Sequence, residues 1–437
     1  MGNGGGTRWS RAVRPGAPGS RTTRLELFYD LVFVLAFLSD TSLTATHPSP
    51  ANLYRFLLVL ALLWWCWTGF AGLGNVVRAD QGVLPLVGFV TIAATFLLVL
   101  STPGAFADIP GGLHGPVVFA LCYFVIRAAQ LVVFGWVARD DPDRRRRLLW
   151  LALLPVVATA LLITAGTVPP RMADRPTAIA LQLALWTVAL LIEYVGGVIL
   201  GRPWWAVLSA GHWAERHALM VLIALGESII ALGLGPKFLS GLPLTVPVVI
   251  GAVLGIAVVA VLWWAYFDTL AFALEQKLHQ TRDLDARVRL ARDVYTYLHL
   301  PLIAGIISFA LGLKDLLGEA AQPDTPAWGL PLGGFWVSVL YGGVALYLLS
   351  LAACALVGLR TVRWPVLVAV VAIVAVAPLA ALLPELIALA VLAALTVTAV
   401  VVETLSEDGR RRQIRQLALE EQLAAEEEQS RWRQRHL

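Results

Sequence analysis

Apolar residues run through this chain in long uninterrupted blocks, without the strict alternation of strands or the narrow stripe of a surface helix. Most blocks match the roughly 17–25 residues that an α-helix needs to cross a bilayer. The pattern therefore predicts twelve membrane-spanning helices, and a count of ten to thirteen fits it. The predicted spans are 25–45, 53–74, 83–101, 115–138, 147–167, 177–200, 214–235, 245–270, 294–316, 335–357, 362–382 and 384–404.

The composition leads to the same class of protein. Of the 437 residues, 58% are hydrophobic and 14% are charged, whereas a soluble domain carries about 25% charged residues. These figures exclude a soluble enzyme, a disordered chain and a disulfide-rich secreted domain. The predicted fold class is an all-α polytopic integral membrane protein, with the lipid bilayer as its main partner and no nucleic-acid partner.

The basic residues are unevenly distributed between the two sides of the predicted helices. If the amino terminus is cytoplasmic, 26 of the 33 lysines and arginines lie on that side, five on the other and two within spans. Lys314 is among the five. Cytoplasmic connections carry such an excess of positive charge in most membrane proteins. We therefore predict that both termini are cytoplasmic.

The chain divides into two tails and a membrane region. Residues 1–24 form a Gly- and Arg-rich cytoplasmic tail, and residues 25–404 form the transmembrane domain. Residues 405–437 are rich in Arg, Glu, Gln and Leu with apolar residues at helical spacing, which predicts an amphipathic cytoplasmic helix. This helix could pair with a partner helix or with a second copy of the chain, or lie on anionic lipid; the alternative is a solvated tail.

Two stretches of the membrane region resemble each other. Residues 63–67 are Leu-Trp-Trp-Cys-Trp in the second span, and residues 262–266 are Leu-Trp-Trp-Ala-Tyr in the eighth. Spans one and two thus echo spans seven and eight, which predicts two parallel six-helix repeats, 25–200 and 214–404. The alternative is chance similarity in a tryptophan-rich protein.

The clustered tryptophans carry a separate expectation. Tryptophan is enriched at membrane–water interfaces, where its ring anchors a helix. We expect most of the clustered tryptophans to be such anchors. The alternative is that they line a substrate path. The residues are Trp64, Trp65, Trp67, Trp204 and Trp205.

Charged side chains within the predicted spans are the candidate functional residues, because each costs about 2.5–3.5 kcal/mol at mid-span on insertion scales. We single out seven carboxylates and two arginines within the spans or at their ends. We predict that four carboxylates bind a cation or proton: Asp30, Asp40, Glu193 and Glu227. Residues predicted as counter-charges or pairing partners are Glu26, Arg127, Glu215, Arg216 and His299.

The balance of these charges favours a cation-binding device. If Arg127 and Arg216 each pair with one deep acid, two acids remain unmatched. An unmatched buried carboxylate takes up a proton or binds a cation. The alternative is a set of structural ion pairs and interhelical hydrogen bonds.

Several other chemistries lack their motifs. The sequence contains no CxxC, HExxH or GxSxG motif and no phosphate-binding loop. A retinal-type Schiff base is excluded because no lysine lies in the middle of a predicted span. We therefore expect no enzyme activity, no cofactor and no metal site.

Three motifs carry a family resemblance. Residues 26–34 are Glu-Leu-Phe-Tyr-Asp-Leu-Val-Phe-Val, residues 214–229 are Ala-Glu-Arg-His-Ala-Leu-Met-Val-Leu-Ile-Ala-Leu-Gly-Glu-Ser-Ile, and residues 297–302 are Tyr-Leu-His-Leu-Pro-Leu. They resemble the bacterial low-temperature-requirement protein A family, which often has an aromatic residue where this chain has His217. The resemblance implies a multi-pass protein of the bacterial inner membrane that supports growth in the cold.

The leading hypothesis for the function is a secondary transporter or ion pathway, coupled to protons or cations, for an unknown small solute or ion. The alternative is a membrane scaffold or sensor that supports growth in the cold through the helix at 405–437. An intramembrane enzyme acting on lipid is a third hypothesis, and it has no nucleophile–base pair or metal set in its favour. A mid-membrane pocket lined by Asp40, Arg127 and Glu227 would favour transport.

Overall fold

The protein is a bundle of long helices. The computed structural model describes residues 21–78, 80–200, 207–233, 245–322 and 324–406, with scattered residues between 409 and 431. Within these ranges there is no β-strand, and one isolated bridge joins Pro331 to Pro384. Most of the predicted tail helix at 405–437 lies outside the described residues.

The α-helices are numbered in chain order. They are α1 Arg24–Thr46, α2 Pro50–Val76, α3 Leu84–Ser101, α4 Gly115–Val137, α5 Pro142–Thr167, α6 Pro169–Met172, α7 Arg175–Leu200, α8 Ala210–Gly233, α9 Val246–Phe267, α10 Leu270–Gln280, α11 Leu284–Leu290, α12 His299–Ala320, α13 Gly333–Cys354, α14 Trp364–Ala380 and α15 Glu385–Ser406. A π-helical segment, Ala291–Tyr297, joins α11 to α12, and a second one, Ala355–Leu359, extends α13.

The predicted all-α membrane fold of about twelve helices is confirmed. Eleven helical stretches in the described part of the chain are long and apolar enough to cross a membrane. The shorter apolar helix α14, with 17 residues, makes the twelfth. The ninth span is longer than predicted, because α11, the π-helical segment and α12 run on without a break over Leu284–Ala320.

Side-chain caps fix where several spans begin. Thr23 and Glu26 form a capping box at the start of α1, in which each side chain bonds to the backbone of the other residue. Ser49 caps α2 and Asp141 caps α5, and each cap is followed by a proline in the first turn. Proline fits there because the first helical N–H groups have no partner within the helix.

The helices of the two predicted repeats have neighbours in the same order. In the first half α1 packs on α2 and α3, and α3, α4, α5 and α7 follow in a row. In the second half α8 packs on α9 and α12, and α12, α13, α14 and α15 follow in a row. The last helix of each half returns to the second one, α7 to α2 and α15 to α9. The division into repeats 25–200 and 214–404 stays a prediction.

Helices α12 and α13 approach most closely where two glycines face each other. A methyl group on Gly305 would lie 2.6 Å from the carbonyl oxygen of Gly343, and one on Gly343 would lie 2.8 Å from that of Gly305. Both obstacles are backbone atoms, which cannot rotate away. Small residues allow such close helix packing in membranes.

Gly343→Ala should therefore destabilise the protein by about 1–3 kcal/mol, because the added methyl forces α12 and α13 apart. Gly342→Ala is the matched control, since a methyl there meets nothing within 4 Å. It should leave stability unchanged or raise it by up to about 1 kcal/mol through helix propensity. Thermal unfolding in detergent compares the two variants, and equal effects would contradict the prediction.

Candidate functional site

Helices α1 and α8 share a line of buried polar contacts, here called the α1–α8 seam. It joins Glu26 to His212, Asp30 to Arg216, and Thr41 to Glu227. Each pair is separated by 186 positions in the sequence. A constant offset means that the two helices run parallel and in register. The end of the bundle where α1 begins is called the near end below, and the opposite one the far end.

The first contact of the seam lies at the near end. Glu26 accepts hydrogen bonds from the backbone and hydroxyl of Thr23, both at 2.8 Å, and its other oxygen lies 2.9 Å from Nε2 of His212. The amide nitrogen of Asn75 donates to the Ser209 carbonyl and lies 3.3 Å from Nδ1 of His212. With Asn75 as the donor to Nδ1, His212 carries its proton on Nε2 and donates it to Glu26.

The second contact is an ion pair one turn further in. Nη1 of Arg216 donates to Oδ2 of Asp30 at 2.6 Å, and the indole N–H of Trp67 donates to Oδ1 at 2.8 Å. The guanidinium carbon lies 5.4 Å from the centre of the Trp67 ring. Asp30 and Arg216 are both buried. Asp30 is thus held by two donors and has a full counter-charge.

The third contact lies toward the far end and lacks a hydrogen-bonded cation. The Thr41 hydroxyl donates to Oε1 of Glu227 at 2.9 Å. Oε2 of Glu227 is buried and has no hydrogen-bond partner among the residues that the structure describes. Nζ of Lys314 donates to the Ser42 hydroxyl at 2.6 Å, and Lys314 interacts with Glu227 only electrostatically.

Lys314 corrects the sequence-based assignment. The sequence assigns this lysine to the connections opposite the cytoplasmic side, but it lies within α12 and only 4% of its surface is exposed. The sequence misled because Lys314 falls close to the carboxyl end of the predicted span 294–316, whereas the helix continues to Ala320. From α12 its ammonium group reaches across to the hydroxyl of Ser42 on α1.

Asp40 is the most isolated of the predicted acids. Its side chain is buried, and within the described ranges no hydrogen bond or ion pair reaches its carboxylate. It precedes Thr41 on α1, so it points about 100° away around the helix axis from the Glu227 contact. The structure therefore does not bring Asp40 and Glu227 into contact.

Apolar packing separates the two ends of the seam. Asp30 and Thr41 are eleven residues apart on α1, which corresponds to about 16 Å along the helix. Between these levels the buried residues of α1 and α8 are apolar except His217, next to Arg216, and Asp40, next to Thr41; the apolar ones include Phe33, Phe37, Met220 and Ala224. The seam is thus a near-end charge cluster and a far-end carboxylate with an apolar segment between them.

Glu193 belongs to a second polar cluster, between α2, α4 and α7. Its carboxylate accepts from the Tyr123 hydroxyl at 2.5 Å, from the Trp65 indole at 2.7 Å and from Nη2 of Arg127 at 3.1 Å. Nη1 of Arg127 donates to the side-chain oxygen of Gln130 at 2.6 Å. Glu193 and Arg127 therefore pair with each other, away from the α1–α8 seam.

The expectation for the tryptophan cluster of α2 is wrong. Trp64, Trp65 and Trp67 are buried in the bundle, not placed at an interface. Each indole N–H donates to a buried acceptor, which is a carboxylate for Trp65 and Trp67 and a backbone carbonyl of the π-helical segment for Trp64. Trp204 and Trp205 lie outside the described residues. Hydropathy could not reveal these indoles as donors, because their acceptors lie on other helices.

His299 lies in an aromatic cluster, without a carboxylate partner in the described structure. Its Nε2 lies 2.9 Å from the Tyr266 hydroxyl and its Nδ1 2.9 Å from the Val294 carbonyl. The ring stacks on Tyr295 at 5.3 Å and lies 5.4 Å from the ring of His217. His217 is fully buried beside Trp67, which the sequence alone did not indicate.

Two further acids complete the survey. Glu215 lies at the near end and accepts from the backbone and hydroxyl of Thr22, both at 3.1 Å. Glu403 forms a bidentate ion pair with Arg363, at 2.6 and 2.7 Å. Sequence reasoning missed this pair, although Arg363 at the start of the span 362–382 and Glu403 near the end of the span 384–404 lie at the same end of the predicted bundle.

A crevice with a volume of about 100 Å³ opens beside Arg127. It is lined by residues of α2, α4, α5, α7 and α8 together with Val207, among them Trp65, Gln130 and Trp213. Neither Asp40 nor Glu227 lines it. This crevice therefore does not join the three charged residues.

The fold and the seam define a multi-pass helical membrane protein with acidic, basic and imidazole groups buried between its spans. The chain belongs to the family described as bacterial low temperature requirement A protein (LtrA), whose sequence profile matches residues 21–402. It is also similar to a protein of Rhizobium meliloti (strain 1021) named uncharacterized protein RA0937. The two are 26% identical over 324 residues, which cover 71% of this chain and 73% of the relative. No solved structure matches this chain.

Removing one partner of the Asp30–Arg216 pair should be costly, because it leaves the other buried and unpaired. We expect Arg216→Met to lower the free energy of unfolding by about 3–5 kcal/mol. Combining it with Asp30→Asn should recover part of this loss. A double-mutant cycle on unfolding in detergent measures the coupling, with the exposed pair Arg78–Asp80 as control at about 0–1 kcal/mol. Strictly additive effects at Asp30 and Arg216 would contradict the assignment.

Proposed function

We propose that this protein is a proton- or cation-coupled secondary transporter or ion pathway in which Glu227 and Asp40 bind the coupling ion. The observation that carries the proposal is the carboxylate of Glu227, buried between α1 and α8 with one oxygen that has no described donor. A group of this kind gains a partner by taking up a proton or a cation. Ionisable residues within membranes commonly serve such pathways.

The other buried acids support this choice by contrast. Asp30 is paired with Arg216, Glu193 with Arg127, and Glu403 with Arg363. Three acids are therefore neutralised by the protein itself. Of the four acids predicted to bind a cation, the proposal keeps Asp40 and Glu227 as ion ligands. It treats Asp30 and Glu193 as members of ion pairs that hold helices together.

The form of the seam suggests how an ion would pass. The levels of Asp30 and Asp40 are about 15 Å apart along α1, and the apolar packing between them blocks a continuous hydrated path. Transport would then require a movement of α1 relative to α8 that opens one end at a time. The matching neighbour order of the two halves favours such a movement, since transporters commonly move one repeat against the other around a fixed site.

The proposal includes an orientation. It places the near end and both termini in the cytoplasm of a bacterial cell and the bundle in the inner membrane. The support is the excess of arginine in the connections of the near end, which include Arg78 and Arg144–Arg147. Glu227 would then face the far, external half of the membrane.

A scaffold without transport activity is less well supported. Buried ion pairs such as Arg363–Glu403 suit a scaffold, because they fix helices against each other. A scaffold does not require buried carboxylates that lack a hydrogen-bonded cation, because such groups cost free energy. The Glu227 and Asp40 carboxylates therefore favour an ion-binding function over a purely structural one.

The proposal predicts that Glu227→Gln and Asp40→Asn abolish ion flux. Each change keeps the shape of the side chain but removes the charge that binds the ion. Purified protein in liposomes, with a pH-sensitive dye inside and an imposed pH gradient, measures proton flux with and without Na⁺ or K⁺. We expect a loss of at least about tenfold for each variant, a typical cost when a charged ligand is removed.

Two substitutions serve as controls for that experiment. Asp108→Asn removes an exposed carboxylate on the far-end loop, and Thr396→Val removes a buried hydroxyl that bonds only within α15. Both should retain flux. Absence of flux in the unmodified protein, or undiminished flux in Glu227→Gln and Asp40→Asn, would refute the proposed function.

Lys314 gives a prediction of opposite sign. Its ammonium group interacts electrostatically with Glu227, so it competes with any cation that approaches this carboxylate. Lys314→Met should therefore lower the cation concentration that gives half-maximal flux. The shift expected from one nearby charge is about three- to tenfold. Lys277→Met is the control, because Lys277 lies on α10 outside the seam; a rise in the half-maximal concentration for Lys314→Met would contradict the assigned role.

A further inference from the structure

The crevice beside Arg127 runs from the middle of the bundle toward the near end. On α5 its lining residues are Leu148, Leu151 and Leu154, which are half-buried. On α4 it extends from Arg127 to Phe134, three residues before that helix ends. It is therefore an elongated opening in the half of the membrane that borders the near end.

The walls of this crevice are mainly apolar. Leucines line the side formed by α5, and Trp65 and Trp213 lie opposite them. The positive charge of Arg127 is neutralised by Glu193, to which its guanidinium donates a hydrogen bond, and a second hydrogen bond goes to Gln130. A free anion would find little attraction at this depth. The walls fit a hydrocarbon chain, and a volume of about 100 Å³ holds a segment of one.

Arginines stand at the near-end mouth of the crevice. Four of them, Arg144–Arg147, occupy consecutive positions at the start of α5, and all four are exposed. Arg144 precedes Leu148 and Leu151 by four and seven residues, and Arg147 precedes Leu151 and Leu154 by four and seven, so both lie on the face of α5 that lines the crevice. Arg145 and Arg146 point to the other faces of the helix. The arginine side chains over the crevice are therefore those of Arg144 and Arg147.

The local charge favours an anionic headgroup. Between residues 139 and 147 there are five arginines and three aspartates, which gives a net charge of +2. Asp141 pairs with Arg144 at 3.0 Å and Asp140 with Arg139 at 3.3 Å. No ion pair is found for Arg147 with a described residue, so it is the arginine best placed to bind a phosphate.

We propose that this crevice is a binding site for an anionic phospholipid. One acyl chain lies between α4 and α5 along Leu148, Leu151 and Leu154, and the phosphate binds Arg147 and Arg144 at the near end. A basic cluster at a membrane surface attracts anionic lipid with about 1 kcal/mol per arginine. The apolar crevice adds a defined place for the chain, so the site selects a lipid and not a soluble phosphate. This proposal does not depend on the proposed transport function.

Native mass spectrometry of the purified full-length protein in detergent tests the site. The probes are dioleoyl phosphatidylglycerol, dioleoyl phosphatidylcholine with the same chains, and glycerol 3-phosphate as a headgroup without chains. We expect the first to bind more tightly than the second and the third not to bind. Arg144→Gln with Arg147→Gln should weaken phosphatidylglycerol binding about 10- to 30-fold, from the loss of two lipid-facing charges.

Two further variants make the test specific. Arg145→Gln with Arg146→Gln removes the same charge from the same helix turn but from other faces, and it should change the affinity less than about threefold. Leu151→Trp fills the crevice and keeps every charge, and it should weaken phosphatidylglycerol binding while size-exclusion chromatography shows an intact protein. Equal binding of both lipids, equal effects of the two arginine pairs, binding of glycerol 3-phosphate, or unchanged binding in Leu151→Trp would each overturn the proposal.

Discussion

The cost of placing charge in a low-dielectric interior governs how the helices of this protein are arranged. Asp30, Glu193 and Glu403 are buried, and each is joined by an arginine from another part of the fold. Each pair fixes two helices at one height and one rotation, because a slip of either helix would leave a bare charge in the membrane. Packing of leucine and glycine then fills the space between helices that the ion pairs have already oriented.

The tryptophans of α2 also fix neighbouring elements through buried polar contacts. Three indoles of one helix segment each supply a donor to a different neighbour. This helix thereby connects the α1–α8 seam, the Glu193 cluster and the π-helical segment before α12. In α9, the matching helix of the other half, Trp263 and Trp264 are exposed instead. The two helices thus have similar neighbours, but their tryptophans differ in burial.

The fold could be predicted from the sequence because burial in lipid demands long apolar helices, and these are visible as blocks. For the buried charges, only the numbers of acids and arginines could be predicted, and not which acid pairs with which arginine. Two arginines against four deep acids indicated that two acids remain, but not that Arg127 meets Glu193 and Arg216 meets Asp30. Those partners depend on rotation and height of helices distant in sequence. For the same reason the sequence did not reveal the roles of His212, Lys314 and the Arg363–Glu403 pair. Each of these residues contacts a partner on another helix.

The constant offset of 186 positions along the α1–α8 seam has a mechanical consequence. Because all three contacts share one register, a slide of α1 along α8 displaces each of them by the same distance. No small slide can break one contact while it keeps the other two. A small slide of α1 along α8 therefore breaks all three contacts at once, so intermediate positions are costly in free energy. A slide between them is therefore an all-or-none event, whereas opening one end at a time requires α1 to tilt against α8.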